Sequence, residues 1–137
     1  DVSIQAQVIN LMQDIKKEYQ LTYLFISHDL RIIKHFCDRV MVMYLGNIVE
    51  LGTKEAIYGN QRHPYTKALL SAVSNVKGHG SKNRIILQGD IPSPVNPPSG
   101  CPFHTRCSYC MDICREKKPE LKKMADGTLV ACHLDME

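Results

Sequence analysis

Ile4, Val8, Leu11 and Ile15 recur at helical spacing through the first turns of the chain, with Ala6 and Met12 beside them. That pattern predicts an amphipathic helix. Ser3 stands where an N-cap belongs, and Lys16 and Lys17 suit the negative end of the helix dipole. The period then changes. Thr22-Tyr23-Leu24-Phe25-Ile26 is a near-continuous apolar, β-rich run. Without alternation it predicts a strand buried on both faces, the kind found in parallel sheets. Ser27-His28-Asp29 breaks the run, and Leu30, Ile33, Phe36 and Cys37 form one face of a short helix with Asp29 as its N-cap. Residues 40–45 predict a second strand, Gly46-Asn47 a two-residue hairpin turn, and residues 48–51 its antiparallel return. Helix–strand–helix–strand is an α/β order, here the back half of a sheet cut at its front, so the chain reads as a fragment.

A second section begins near Gly52. Thr53 predicts the cap of a short helix over residues 54–58. Another helix starts at His63-Pro64-Tyr65, with proline at the first helical position, where its missing N–H costs nothing. Tyr65, Ala68, Leu69, Ala72 and Val73 are its apolar stripe. Residues 74–83 are polar and glycine-containing and predict a loop; residues 84–88 predict a strand. Pro92, Pro94, Pro97 and Pro98 then impose an extended, irregular path. Residues 128–131 predict a last strand.

The chain has 137 residues, 44% hydrophobic and 23% charged, with a net charge of +3. This is about one domain, or one domain and an appendage. The charge is too mild to argue for nucleic acid or an anionic membrane by itself. No apolar run approaches the ~18 residues of a membrane span, and no basic-then-apolar signal opens the chain. The sequence therefore predicts a cytosolic protein, where disulfides are rare. That expectation bears on Cys101, Cys107, Cys110, Cys114 and Cys132, five of the six cysteines, all within the last 37 residues.

Five clustered thiols suffice for tetrahedral zinc or a cubane iron–sulfur cluster. Cys107-x2-Cys110 suits a zinc knuckle, but no second such pair completes it. If residues 107–114 are helical, Cys107, Cys110 and Cys114 share one face, and spacing alone leaves the fourth ligand open. Buried, unliganded thiols are the plain alternative. Cys37, alone in an apolar stretch, reads as core packing. His104 and His133 flank cysteines and read as supporting groups rather than ligands. His63 reads as shaping a helix entry. Arg106 and Arg115 read as solvated surface or as charges offsetting thiolates, and Arg115, Lys117, Lys118, Lys122 and Lys123 as a solvated face or a docking surface.

His28 stands where a buried strand would hand over to a helix, the edge at which ligands of open α/β sheets collect. No nucleophile–base pair and no glycine-rich phosphate loop accompanies it.

Asp1-Val2-Ser3-Ile4-Gln5-Ala6-Gln7 and Leu24-Phe25-Ile26-Ser27-His28-Asp29-Leu30 resemble the region following the Walker B motif of an ABC transporter ATPase. His63-Pro64-Tyr65-Thr66-Lys67-Ala68-Leu69-Leu70, Gly89-Asp90-Ile91-Pro92-Ser93-Pro94 and Cys101-Pro102-Phe103-His104-Thr105-Arg106-Cys107 narrow the likeness. Together they are similar to the ATP-binding subunits of bacterial oligopeptide and dipeptide importers. The resemblance implies an α/β fold: the truncated C-terminal part of an ABC ATPase nucleotide-binding domain over residues 1–58, then a small α+β cysteine-rich C-terminal extension over 59–137.

By position, the resemblance implies that Asp1 is the D-loop aspartate, which couples two nucleotide sites across a dimer. It implies that His28 is the switch histidine that contacts the γ-phosphate and positions the attacking water. It implies a [4Fe–4S] cluster on Cys101, Cys107, Cys114 and Cys132, with zinc as the alternative, and leaves Cys110 as spare or substitute. The Walker A loop, Q-loop, signature motif and Walker B carboxylates of that family have no counterpart in these residues. Without the phosphate loop or a magnesium ligand, ATP and Mg belong to a full-length parent and the chain alone is expected to be inactive. The implied partners are a second ATPase subunit, two transmembrane permease subunits and an extracytoplasmic peptide-binding protein, with the chain peripheral at the cytoplasmic side of the membrane. No nucleic acid is expected, and exposed apolar faces predict self-association. The competing reading is a free-standing thiolate–metal module that binds nucleic acid through its basic run, which predicts salt-sensitive binding by residues 84–137.

Overall fold

Helix α1 runs over Val2–Glu18, so Ser3 lies inside it and not at its cap. Its far end closes by a Schellman arrangement: Gln20 is left-handed at φ 53, and the Leu21 amide donates to the Lys16 carbonyl at 3.0 Å. The computed structural model describes residues 2–73 and 84–134, in two units, Asp1–Cys37 and Asp38–Glu137. The loop expected over 74–83 lies outside the described residues.

In the first unit the run 22–26 pairs with no strand among the described residues. Its side chains alternate after all. Tyr23 and Phe25 pack on Phe36, with ring centroids 5.8 and 5.1 Å apart, while Leu24 and Ile26 are 89% and 88% exposed. The expected strand buried on both faces is therefore corrected to an unpaired segment with Tyr23 and Phe25 covered and Leu24 and Ile26 exposed. Apolar composition supplies the propensity, but a strand exists only with a hydrogen-bonded neighbour. Helix α2, Leu30–Phe36, follows as expected, with the Asp29 carboxylate accepting from the Arg31 amide.

The second unit is a mixture of helices with an antiparallel sheet. Strands β1 (Arg39–Tyr44) and β2 (Asn47–Thr53) form the hairpin, turning on Leu45 and Gly46 at φ 45 and 73. The turn thus sits one residue earlier than Gly46-Asn47. Both central positions are left-handed, as a type I′ turn requires, and Asn47 braces it from outside by donating to the Leu45 carbonyl at 2.8 Å. Val42 pairs with Glu50 but Met43 with Ile48, leaving Val49 over as a bulge. A regular strand alternates faces; here Val49 and Glu50 are adjacent and both buried.

Thr53 caps α3 (Lys54–Gly59) by accepting from the Ala56 amide, and α4 (Pro64–Val73) starts at its proline, both as the sequence predicts. Residues 84–88 are not a strand: the Ile85 amide donates to Ser71 Oγ, not to a ladder, and Ile86 is exposed. A 3-10 turn over His104–Arg106 and helix α5 (Asp112–Glu116) lead to short strands β3 (Lys122–Lys123) and β4 (Leu129–Val130). The sheet order is β1-β2-β4-β3, so the last strand docks on the hairpin. Phe103, Ile57, Val49 and Val130 are buried at its core, and Tyr44, Tyr65 and His63 ring Phe103 at centroid distances of 4.8 to 5.7 Å among the four.

Candidate functional site

Four separate segments carry Cys101, Cys107, Cys114 and Cys132 towards one another. Gly100 is left-handed at φ 68, and a Cβ there would collide with the backbone of Cys114 and Arg115. This contact lets the Cys101 amide donate to the Cys114 carbonyl at 2.8 Å, while Ser99 Oγ donates to the Arg115 carbonyl at 2.9 Å. Cys107 ends the 3-10 turn, and Cys132 follows Ala131, whose amide donates to the Val49 carbonyl at 2.9 Å. The conditional helix over 107–114 is not formed: α5 begins only at Asp112, and Cys110 is joined to Cys107 by a turn, amide to carbonyl at 3.2 Å.

The four thiols act on one another. Burial, with smaller contributions from the neighbouring Cys114, Cys132 and Cys107, pushes the Cys101 thiol up to about 11. Burial likewise raises Cys107 and Cys132, each with Cys114 adding to it. Such thiols stay protonated unless a cation arrives to stabilise the thiolates. The donor chemistry suits a soft metal, and no cysteines are disulfide-bonded. Their spacing is looser: among the described residues no three His, Cys, Asp or Glu side chains are grouped closely enough to hold one metal ion. Cys110 is half-buried at the margin, its Sγ 3.6 Å from the Met111 carbonyl.

The flanking histidines are engaged with backbone. His104 Nδ1–H donates to the Cys101 carbonyl at 2.9 Å, and His133 Nε2–H donates to the Lys117 carbonyl at 2.8 Å. Arg115 is exposed. Arg106 is not solvated surface: it is half-buried beside Tyr65, and its Nε has no acceptor among the described residues.

Sequence reading missed Glu50. It is fully buried, and its two carboxylate oxygens accept from the backbone amides of Arg62 and His63 at 2.8 and 3.1 Å. His63 Nδ1 in turn accepts from the Tyr65 amide at 3.1 Å, capping α4 as a neutral ring, and burial lowers its pKa to about 4. The available signal was a lone carboxylate inside the apolar run Ile48-Val49-Glu50-Leu51.

In the first unit His28 is exposed in the turn that leads into α2. Ser27 Oγ accepts from the Asp29 amide at 3.0 Å, and Asp29 accepts from Arg31 through both backbone and guanidinium. Those bonds, the backbone one foremost, hold the Asp29 carboxyl below its usual range. The turn is braced on either side of an imidazole left facing solvent. Asp1 lies outside the described residues.

Residues 49–114 match the family described as oligopeptide/dipeptide transporter, C-terminal region. The chain is 57% identical to the oligopeptide transport ATP-binding protein AppF of Bacillus subtilis, over 98% of the chain and 41% of that relative. It is 52% identical to the dipeptide transport ATP-binding protein DppF of Haemophilus influenzae, over 98% of the chain and 42% of the relative. A putative peptide import ATP-binding protein of Brucella ovis is 50% identical, over 98% and 43%. The chain spans about two fifths of the length of these curated relatives.

Proposed function

We propose, from the premise that this chain belongs with the ATP-binding proteins of oligopeptide and dipeptide transport, that it forms part of the ATP-hydrolysing subunit of a peptide-importing ABC transporter. The observation that carries this is identity of 50–57% sustained over 98% of the chain with relatives of that description. Residues 1–58 are then the closing part of the nucleotide-binding domain and residues 59–137 its extension. The subunit works with a second ATPase subunit, two permease subunits and an extracytoplasmic peptide-binding protein, at the cytoplasmic face of the membrane. No helix among the described residues is long and apolar enough to cross a membrane, which accords with a peripheral place.

In this reading His28 contacts the γ-phosphate and holds the attacking water, and Asp1 couples the two nucleotide sites. Phosphoryl transfer asks the protein for positioning and charge stabilisation rather than covalent chemistry. An exposed imidazole in a turn fixed by Ser27 and Asp29 suits that task. The magnesium and phosphate-loop ligands belong to sequence beyond these 137 residues, so the chain alone hydrolyses no ATP. The decisive assay is ATP turnover by the full-length subunit carrying His28→Ala. A loss of about a hundredfold or more in kcat at unchanged fold is expected, the size of losing one transition-state donor. Wild-type turnover in the variant, or robust turnover by the 137-residue chain, overturns the reading.

Cys101, Cys107, Cys114 and Cys132 are proposed to hold a [4Fe–4S] cluster, or zinc in its place, as a structural tie. It would join four segments of a thin core and take no part in hydrolysis. Anaerobic purification should give iron and acid-labile sulfide, or one equivalent of zinc, and removing the metal should lower the melting temperature of this unit. Unchanged melting and far-ultraviolet circular dichroism after complete removal argue against it.

A further inference from the structure

Helix α4 and the cysteine segment line a small cleft, in which Arg106 and Ser108 flank Cys107 and Lys67 also acts on the Cys132 thiol. Pro64, Phe103, Ile85 and Leu87 give it apolar walls, and Lys67 and Arg106 bring two cationic side chains to it. Its volume is about 80 Å³, room for a group of a few heavy atoms.

Arg106 is the informative wall. Its Nε is buried and has no hydrogen-bond acceptor among the described residues. Among the described residues no carboxylate forms an ion pair with it or with Lys67. A buried guanidinium N–H left unpaired is costly, because desolvation is incurred without the compensating bond. The same guanidinium acts on the Tyr65 phenol, favouring its charged form against burial. Positive charge thus reaches into the interior at this point. Ser108 and Tyr109 stand at the same cleft and can donate to an oxygen there.

We propose that this cleft binds a small carboxylate bearing a short apolar group. The carboxylate would accept from Arg106 Nε–H, with the Lys67 ammonium adding charge, and the apolar group would lie against Pro64, Phe103 and Leu87. Charge selects an anion; the apolar walls select a carboxylate with a hydrocarbon end over a phosphate, which is polar on every side. The proposal stands apart from peptide transport: it rests on the cleft alone.

The test is a titration of the full-length protein with sodium isovalerate, followed by nuclear magnetic resonance at the Arg106 Nε–H and the Tyr109 ring, with inorganic phosphate as a second arm. Saturable shifts of both signals are expected with isovalerate, and weaker binding of phosphate. Arg106→Gln should weaken isovalerate by about tenfold or more, the value of a charge-assisted hydrogen bond. Lys67→Gln, at an exposed position on α4, should weaken it by roughly threefold and leave the fold intact. If Arg106→Gln fails to fold, Lys67→Gln and the salt dependence of wild-type binding decide. No saturable shift, unchanged affinity in Lys67→Gln, or phosphate binding more tightly than isovalerate each overturns the proposal.

Discussion

Glu50 and His63 show how one carboxylate and one imidazole organise a core. The bulge at Val49 turns Glu50 inward, where it accepts from the amides that precede α4. His63 then caps that helix through Nδ1, an arrangement that requires the ring to be unprotonated there. In the unfolded chain the ring takes a proton near 6.5; in the fold burial delays this to about 4. Between those values the unfolded chain binds the extra proton, so stability is full above pH 6.5 and declines as pH falls towards 4. The loss is about 3 kcal/mol at most. Urea midpoints measured from pH 7.5 to 4 should fall over that window, and should fall less in His63→Asn, which can still cap but does not titrate. A flat profile in the wild type contradicts this assignment. The sequence showed where His63 sits, before a helix-starting proline. It did not show Glu50, because a bulge is set by pairing with β1 and leaves no mark in the period of β2.

Elements were legible where their cause is local and misread where it is not. Thr53 as a cap, Pro64 at a first turn and the hairpin are all written within a few residues. The runs 22–26 and 84–88 have strand composition but no ladder among the described residues, since pairing depends on residues far away in sequence. The cysteines were legible as a group by residue type. The path that brings Cys101 beside Cys114 was not, because it depends on Gly100 approaching the end of α5. That approach is open to a single substitution. Gly100→Ala places a Cβ 2.7 Å from the Arg115 carbonyl carbon and adds left-handed strain at φ 68. The loss should be about 2 kcal/mol or more, since backbone on both sides must move. Thermal melting checks it: the variant should melt lower, and if the proposed metal is bound it should retain less of it. Gly127→Ala is the control, also left-handed at φ 82 but with nothing within 4 Å of a Cβ, so it should cost only the conformational part.

At the scale of the whole molecule, the apolar residues that find no cover are as informative as those that do. Ile4, Val8 and Leu11 on α1 are exposed, as are Leu24 and Ile26 in the run 22–26, whereas Tyr23 and Phe25 are packed on Phe36. The sequence marks Ile4, Val8 and Leu11 as one apolar helix face and Leu24 and Ile26 as part of a buried strand; in the structure all five are exposed. The chain spans about two fifths of the length of these relatives. Fully burying a side chain of this size is worth about 1.5–3 kcal/mol, so several together exceed what thermal motion leaves exposed without consequence. The purified 137-residue chain should therefore self-associate through the first unit. Light scattering coupled to size exclusion should show mass rising with concentration, and Leu24→Lys with Ile26→Glu should shift it towards the monomer. These two positions face away from Phe36, so the change leaves the Tyr23–Phe36–Phe25 contacts in place. If the proposed function holds, a full-length subunit carrying the same pair should instead fold poorly, because the face would be interior there. A monomeric wild-type chain at every concentration, or a full-length subunit indifferent to both substitutions, would mean that this face is solvated in the native protein.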